Sequence, residues 1–159
     1  MIYVALYTIF LSCSKLSLTE YAFMGQASRK SDVFSFGIMM LEVFTGKRPK
    51  DPMFVEGLSL RQWVSQALTS RLIDIVDTKL LQDEEFRHIC LDHQADTALG
   101  SSLTSTSNSI LASVFELGIM CSSESAGQRM VMKDVVTKLQ DIKKDYSASM
   151  QAMQRPQRY

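Results

Sequence analysis

Between Val33 and Phe44 the chain is apolar nearly all the way round a helical wheel, with Phe34, Phe36, Ile38, Met39, Leu41, Val43 and Phe44 pointing in every direction. A helix without a polar face belongs in the middle of a domain, where other elements keep its side chains from water. Gly46 suits the left-handed position that ends such a helix, and Pro49 prevents its resumption. Lys50 to Gly57, with Pro52 inside it, reads as loop. Ser59 then opens a second helix. Gln62 follows it at the capping-box spacing, so that each side chain satisfies an orphan backbone donor of the other residue. Leu60, Trp63, Val64, Ala67 and Leu68 line one face of that helix.

The next stretch is mixed. Ile73, Ile75 and Val76 are apolar, Asp77 begins a turn, and Glu84 to Leu91 has the pattern of a short helix. Residues 97–109 are rich in Ser and Thr and nearly free of large side chains, which predicts a mobile loop. The helical period returns with Ile110, Leu111, Val114, Phe115, Gly118 and Cys121. A polar loop from Ser122 to Arg129 leads to a last helix. There Val131, Val135, Leu139, Ile142 and Tyr146 form the apolar stripe, while Lys133, Lys138, Asp141, Lys144 and Asp145 stay in water. Residues 147–159 read as a flexible tail. There is no internal repeat, and the pattern predicts an all-α fold built round a buried central helix.

Composition narrows the picture. A chain of 159 residues is long enough for one domain with a real core and too short for two comfortable ones. Lys+Arg 17 against Asp+Glu 17 gives no electrostatic case for nucleic acid. Cys13, Cys90 and Cys121 are odd in number and widely spaced, so they imply reduced thiols in a cytosolic setting rather than a disulfide framework. His88, Cys90 and His93 lack a fourth ligand and match no established metal-site spacing, so they are read as coincidence and no metal is assigned. Met1 to Cys13 is almost wholly apolar but shorter than the roughly 20 residues that cross a bilayer. It has neither the basic start nor the small-residue cleavage site of a secretory leader.

The run Ser31-Asp32-Val33-Phe34-Ser35-Phe36-Gly37 resembles the start of the central helix in the C-terminal lobe of eukaryotic protein kinases. Plant receptor-like serine/threonine kinases, the leucine-rich-repeat ones especially, carry a near-identical Ser-Asp-Val-aromatic-Ser-Phe-Gly. Met40-Leu41-Glu42, Thr45-Gly46-Lys47-Arg48-Pro49, Cys121, Arg129, Met132 and Asp134-Val135-Val136 follow in the family's order and spacing. The resemblance covers residues 20–146, which it implies are part of a kinase C-lobe. Residues 1–19 then stand where the family has other upstream sequence.

The resemblance carries roles onto particular positions. It implies that Asp32 is buried and accepts hydrogen bonds from backbone amides of the catalytic loop; the local alternative is that Ser31 or Asp32 caps a helix start. Glu20 is similar to the glutamate that closes the activation segment, and Arg129 to the arginine before the last helix. In the family these two pair, and a guanidinium fork suits a carboxylate better than an ammonium does. Leu18-Thr19 and Ala126 depart from the family pattern around them, and two unrelated surface charges are the alternative. Gly37 closes the motif. The face bearing Leu60, Arg61, Trp63 and Val64 is either a docking surface, as the corresponding helix often is in kinases, or simple core packing.

The sequence also lacks motifs that the family's chemistry needs. The 159 residues contain no Gly-x-Gly-x-x-Gly loop, no Val-Ala-x-Lys strand, no His-Arg-Asp loop and no Asp-Phe-Gly. Phosphoryl transfer rests on positioning ATP and Mg²⁺ with those groups, so this stretch alone is expected to hold neither and to be inactive. The parent family uses ATP and Mg²⁺ at the cytoplasmic side of the plasma membrane. For this chain the expectations are cytoplasmic localisation, no transmembrane helix, and self-association. A full-length kinase or another signalling protein is the expected partner, and a gene fragment without function is the remaining alternative.

Overall fold

The computed structural model describes residues 26–54, 57–69, 72–84, 86–87 and 110–153. Its elements in chain order are α1 (Gln26–Thr45), α2 (Leu60–Leu68), a 3-10 turn (Leu72–Ile75), α3 (Thr78–Leu81), α4 (Ile110–Cys121) and α5 (Met132–Met153). Among the described residues there is no strand, and the fold is all-α. Glu84, Phe86 and Arg87 are helical, in line with the short helix expected from Glu84; its continuation lies outside the described residues, as do 1–25 and 97–109.

The centre of the molecule is the crossing of α1 and α4, against which α2 and α5 pack. Val33, Phe36, Met40, Leu41 and Phe44 of α1 are buried, and they meet Leu111, Val114, Phe115, Leu117 and Cys121 of α4 in one cluster. Phe44 meets Phe115 edge to face, with ring centroids 6.2 Å apart. Leu60 and Val64 enter the same cluster from α2, and Val135, Leu139, Ile142 and Tyr146 from α5. The stripe foreseen on the last helix is therefore in the core, except for its first member. Val131 precedes α5 and is 49% exposed; its carbonyl accepts the amides of Asp134 and Val135 at the start of that helix.

Two boundaries differ from the sequence pattern. The helix expected over Val33–Phe44 begins at Gln26, and α5 runs past Ser147 to Met153. Beyond Ser147 the chain reads Ala148-Ser149-Met150-Gln151, in which alanine, methionine and glutamine all favour helix; the polar composition that suggested a tail does not oppose it. The central helix is also less evenly enclosed than its composition implies. Ser35, Met39 and Val43 fall four residues apart and are exposed as one stripe, while the opposite side carries the core.

The ends of the helices follow local chemistry. Gly46 takes φ 65° and donates its amide to Glu42 at 2.8 Å, the single bond that closes a helix through a left-handed residue. Asp77 then donates its amide to the Phe44 carbonyl at 2.9 Å, tying the start of α3 to the end of α1. The foreseen capping box is present on α2: Ser59 Oγ accepts the Gln62 amide at 3.2 Å, and Gln62 Oε1 accepts the Ser59 amide at 2.9 Å.

Candidate functional site

The candidate residues gather along the first half of α1 and on the loop that leads to α5. Asp32 lies well inside α1, so it does not cap the helix start. Its Oδ2 is buried and has no hydrogen-bond partner among the described residues. A buried carboxylate oxygen without a donor is costly, and native folds rarely leave one so.

Gly37 is set by close approach. A Cβ placed on it would lie 2.7 Å from Cys121 Cβ, 2.7 Å from the Ser122 nitrogen and 2.8 Å from the Gly118 carbonyl oxygen. Gly118 faces it across the crossing, where a Cβ would meet Leu41 Cδ2 at 2.6 Å. The paired glycines let α1 and α4 touch through their backbones. Gly37 was singled out from the motif and Gly118 only as a member of the apolar period, although a glycine inside an apolar helix is itself a signal of such contact.

Arg129 is half-buried and gives its donors to backbone carbonyls. Nε donates to Ser123 O, an Nη donates to Glu124 O at 3.0 Å and the other to Lys30 O at 3.2 Å. Its guanidinium carbon also stands 4.7 Å from the centre of the Phe34 ring. The arginine thus joins the loop before α5 to the first half of α1. Glu20, its expected partner, lies outside the described residues. Lys30 escaped the sequence reading altogether: its Nζ donates to the Arg129 carbonyl, returning the bond.

The face of α2 divides. Leu60 is 1% exposed and Val64 0%, so both belong to the core and cannot meet a partner. Trp63 is half-buried, packed on the core and edge to face with Phe54 at 5.7 Å between centroids. Arg61 reaches back to donate from Nε to the Ile119 carbonyl of α4 at 3.3 Å. Leu60 and Val64 thus pack into the core cluster, and Arg61 ties α2 to α4. His88, Cys90 and His93 lie outside the described residues, and among the described residues no three His, Cys, Asp or Glu side chains gather as a metal site. Among the same residues no helix is long and apolar enough to cross a membrane.

No family model matches the chain. Individual proteins do. A putative receptor-like protein kinase of Arabidopsis thaliana is 34% identical over 128 residues, which is 80% of this chain and 11% of that protein. The receptor kinase-like protein Xa21 of Oryza sativa subsp. japonica is 36% identical over 135 residues, 80% of this chain and 12% of its own length. A probable LRR receptor-like serine/threonine-protein kinase of Arabidopsis thaliana is 36% identical over 127 residues, again 80% of this chain and 11% of the relative. The chain spans about a tenth of the length of these curated relatives. It is homologous to the leucine-rich-repeat receptor-like kinases of plant signal transduction, and its all-helical fold is consistent with a kinase C-lobe.

Proposed function

We propose that the chain carries the distal half of the C-lobe of a leucine-rich-repeat receptor-like serine/threonine kinase. Its parent activity would be ATP- and Mg²⁺-dependent phosphorylation of protein hydroxyls beneath the plasma membrane. The observation that carries this reading is Asp32: a carboxylate oxygen buried on the first half of the central helix, with no donor among the described residues. That supports a role as acceptor for a backbone segment docking against α1, as the family resemblance implies for the catalytic loop. Asp32 then works by architecture and makes or breaks no bond.

On this reading the described helices form a platform without phosphoryl-transfer chemistry. The sequence carries no glycine-rich phosphate loop that would set a phosphate before Asp51, Asp74 or Asp77. The test is a thermal melt of the chain with ATP and Mg²⁺. No rise in melting temperature is expected. A ligand at a hundred times its dissociation constant adds about 2.7 kcal/mol, so a true site would be plain, and such a shift would end the proposal of inactivity.

A second reading is favoured by the stripe that Met39 and Val43 present on α1, 36% and 37% exposed. Here the chain is a non-catalytic module that binds a full-length kinase, or a second copy of itself, on the cytoplasmic side. Co-purification with such a kinase, lost on replacing Met39 and Val43 by glutamine, is the expected result. Unchanged co-purification by that variant would remove the stripe from the account.

A further inference from the structure

Lys30 and Arg129 hold one another's main chain. Lys30 Nζ donates to the Arg129 carbonyl, while an Arg129 Nη donates to the Lys30 carbonyl at 3.2 Å. Each bond uses one partner's side chain and the other's backbone, so truncating either side chain leaves the opposite bond chemically possible. Arg129 also stacks on Phe34 and ties down the carbonyls of Ser123 and Glu124. Lys30 and Phe34 are one helical turn apart and share a side of α1. Asp32 lies roughly 200° round the helix from Lys30, on the opposite side. A grip on residues 30 and 34, added to the burial of Val33 and Phe36, therefore helps to hold the rotation at which the helix presents Asp32.

We infer that Lys30 and Arg129 form a reciprocal latch, and that both are positioning residues for Asp32. Closed, the latch joins the first half of α1 to the 122–129 loop and holds the Asp32 carboxylate at a fixed angle. Open, the turns of α1 that precede Val33 lose their tie to the 122–129 loop, while Val33 and the α1–α4 crossing at Gly37 stay packed. The use of this device, presenting Asp32 to a docking segment, rests on the function proposed above. Its existence does not, and the two are tested apart.

Native-state amide exchange on the full 159-residue chain reads the latch directly. Lys30→Met and Arg129→Met should each speed exchange by roughly tenfold in both segments, 30–36 and 122–129, since a hydrogen bond from a charged donor is lost where they meet. Amides of Leu41 to Thr45 should keep their protection. Lys30→Arg, which retains a cationic donor, should leave both segments near the wild-type rate. Arg129→Lys replaces the wide planar fork by one compact ammonium, which does not span the three carbonyls, and should loosen both. The latch is overturned if Lys30→Met loosens only its own segment or neither, or if the loss of protection is uniform along the chain. Should a methionine variant fail to fold, the contrast between Lys30→Arg and Arg129→Lys decides: equal behaviour of the two overturns the proposal.

Discussion

At the scale of single residues, the glycines of the α1–α4 crossing are the sharpest case of sequence answering to packing. A helical glycine costs about 0.8–1.0 kcal/mol against alanine, so Gly37 and Gly118 each weaken their own helix. Contact offsets that cost, because a Cβ at Gly37 would strike two backbone atoms and a Cβ carbon that cannot swing aside. Overpacking of this kind costs about 1–3 kcal/mol, more than the helix would gain. Gly37→Ala is therefore expected to be destabilising in a urea melt. Gly118→Ala meets closely only the tip and branch of Leu41, with the Gly37 carbonyl oxygen at an ordinary 3.6 Å, so its loss should be the smaller of the two. An equal or reversed order would show that the crossing is not held by backbone contact at Gly37.

At the scale of elements, the helices were legible where their signals are local. The ends of α1 and α2 follow from Gly46 and from Ser59 with Gln62, because caps are made by neighbours in sequence. Ser59→Ala removes an acceptor that no other side chain replaces and should cost about 1 kcal/mol. Because α2 spans only nine residues and cannot stand alone, the loss should appear as global destabilisation rather than local fraying. Circular dichroism during urea unfolding separates the two, and a helix-content drop without a shift in midpoint would count against it. What was not legible depends on distant partners. Lys30 and Arg129 are 99 positions apart, and nothing in the lysine's own neighbourhood points to the arginine. Leu60 and Val64 could be placed on one face of α2 by period, yet only the position of α4 shows that this face is inward. The extension of α5 to Met153 was missed for another reason: composition suggested a tail, whereas helix propensity and a core contact from Met150 carry the helix on.

At the scale of the whole molecule, the balance lies between a closed core and an apolar stripe left outside it. A helix apolar nearly all the way round calls for cover on every side. The fold encloses Met40 and Leu41 completely and Val33 and Phe44 almost so, leaving Met39 and Val43 about two-thirds covered. Full burial of such a side chain is worth about 1.5–3 kcal/mol, so the share still available from each is about 0.5–1 kcal/mol. Association of two molecules costs roughly 4–15 kcal/mol in lost freedom, and two such contributions per partner, about 2–4 kcal/mol in all, reach at most the foot of that range. Self-association through this stripe is therefore expected to be weak. Sedimentation should show monomer at low concentration and a gradual rise in apparent mass at high concentration, with only modest binding of hydrophobic dye. Met39→Gln with Val43→Gln should abolish the concentration dependence while leaving the urea midpoint nearly unchanged, because neither side chain belongs to the buried cluster. A tight dimer at low concentration, or association that survives the double substitution, would place the contact elsewhere on the surface. The loss of stability from an exposed stripe would then no longer describe what drives this chain together.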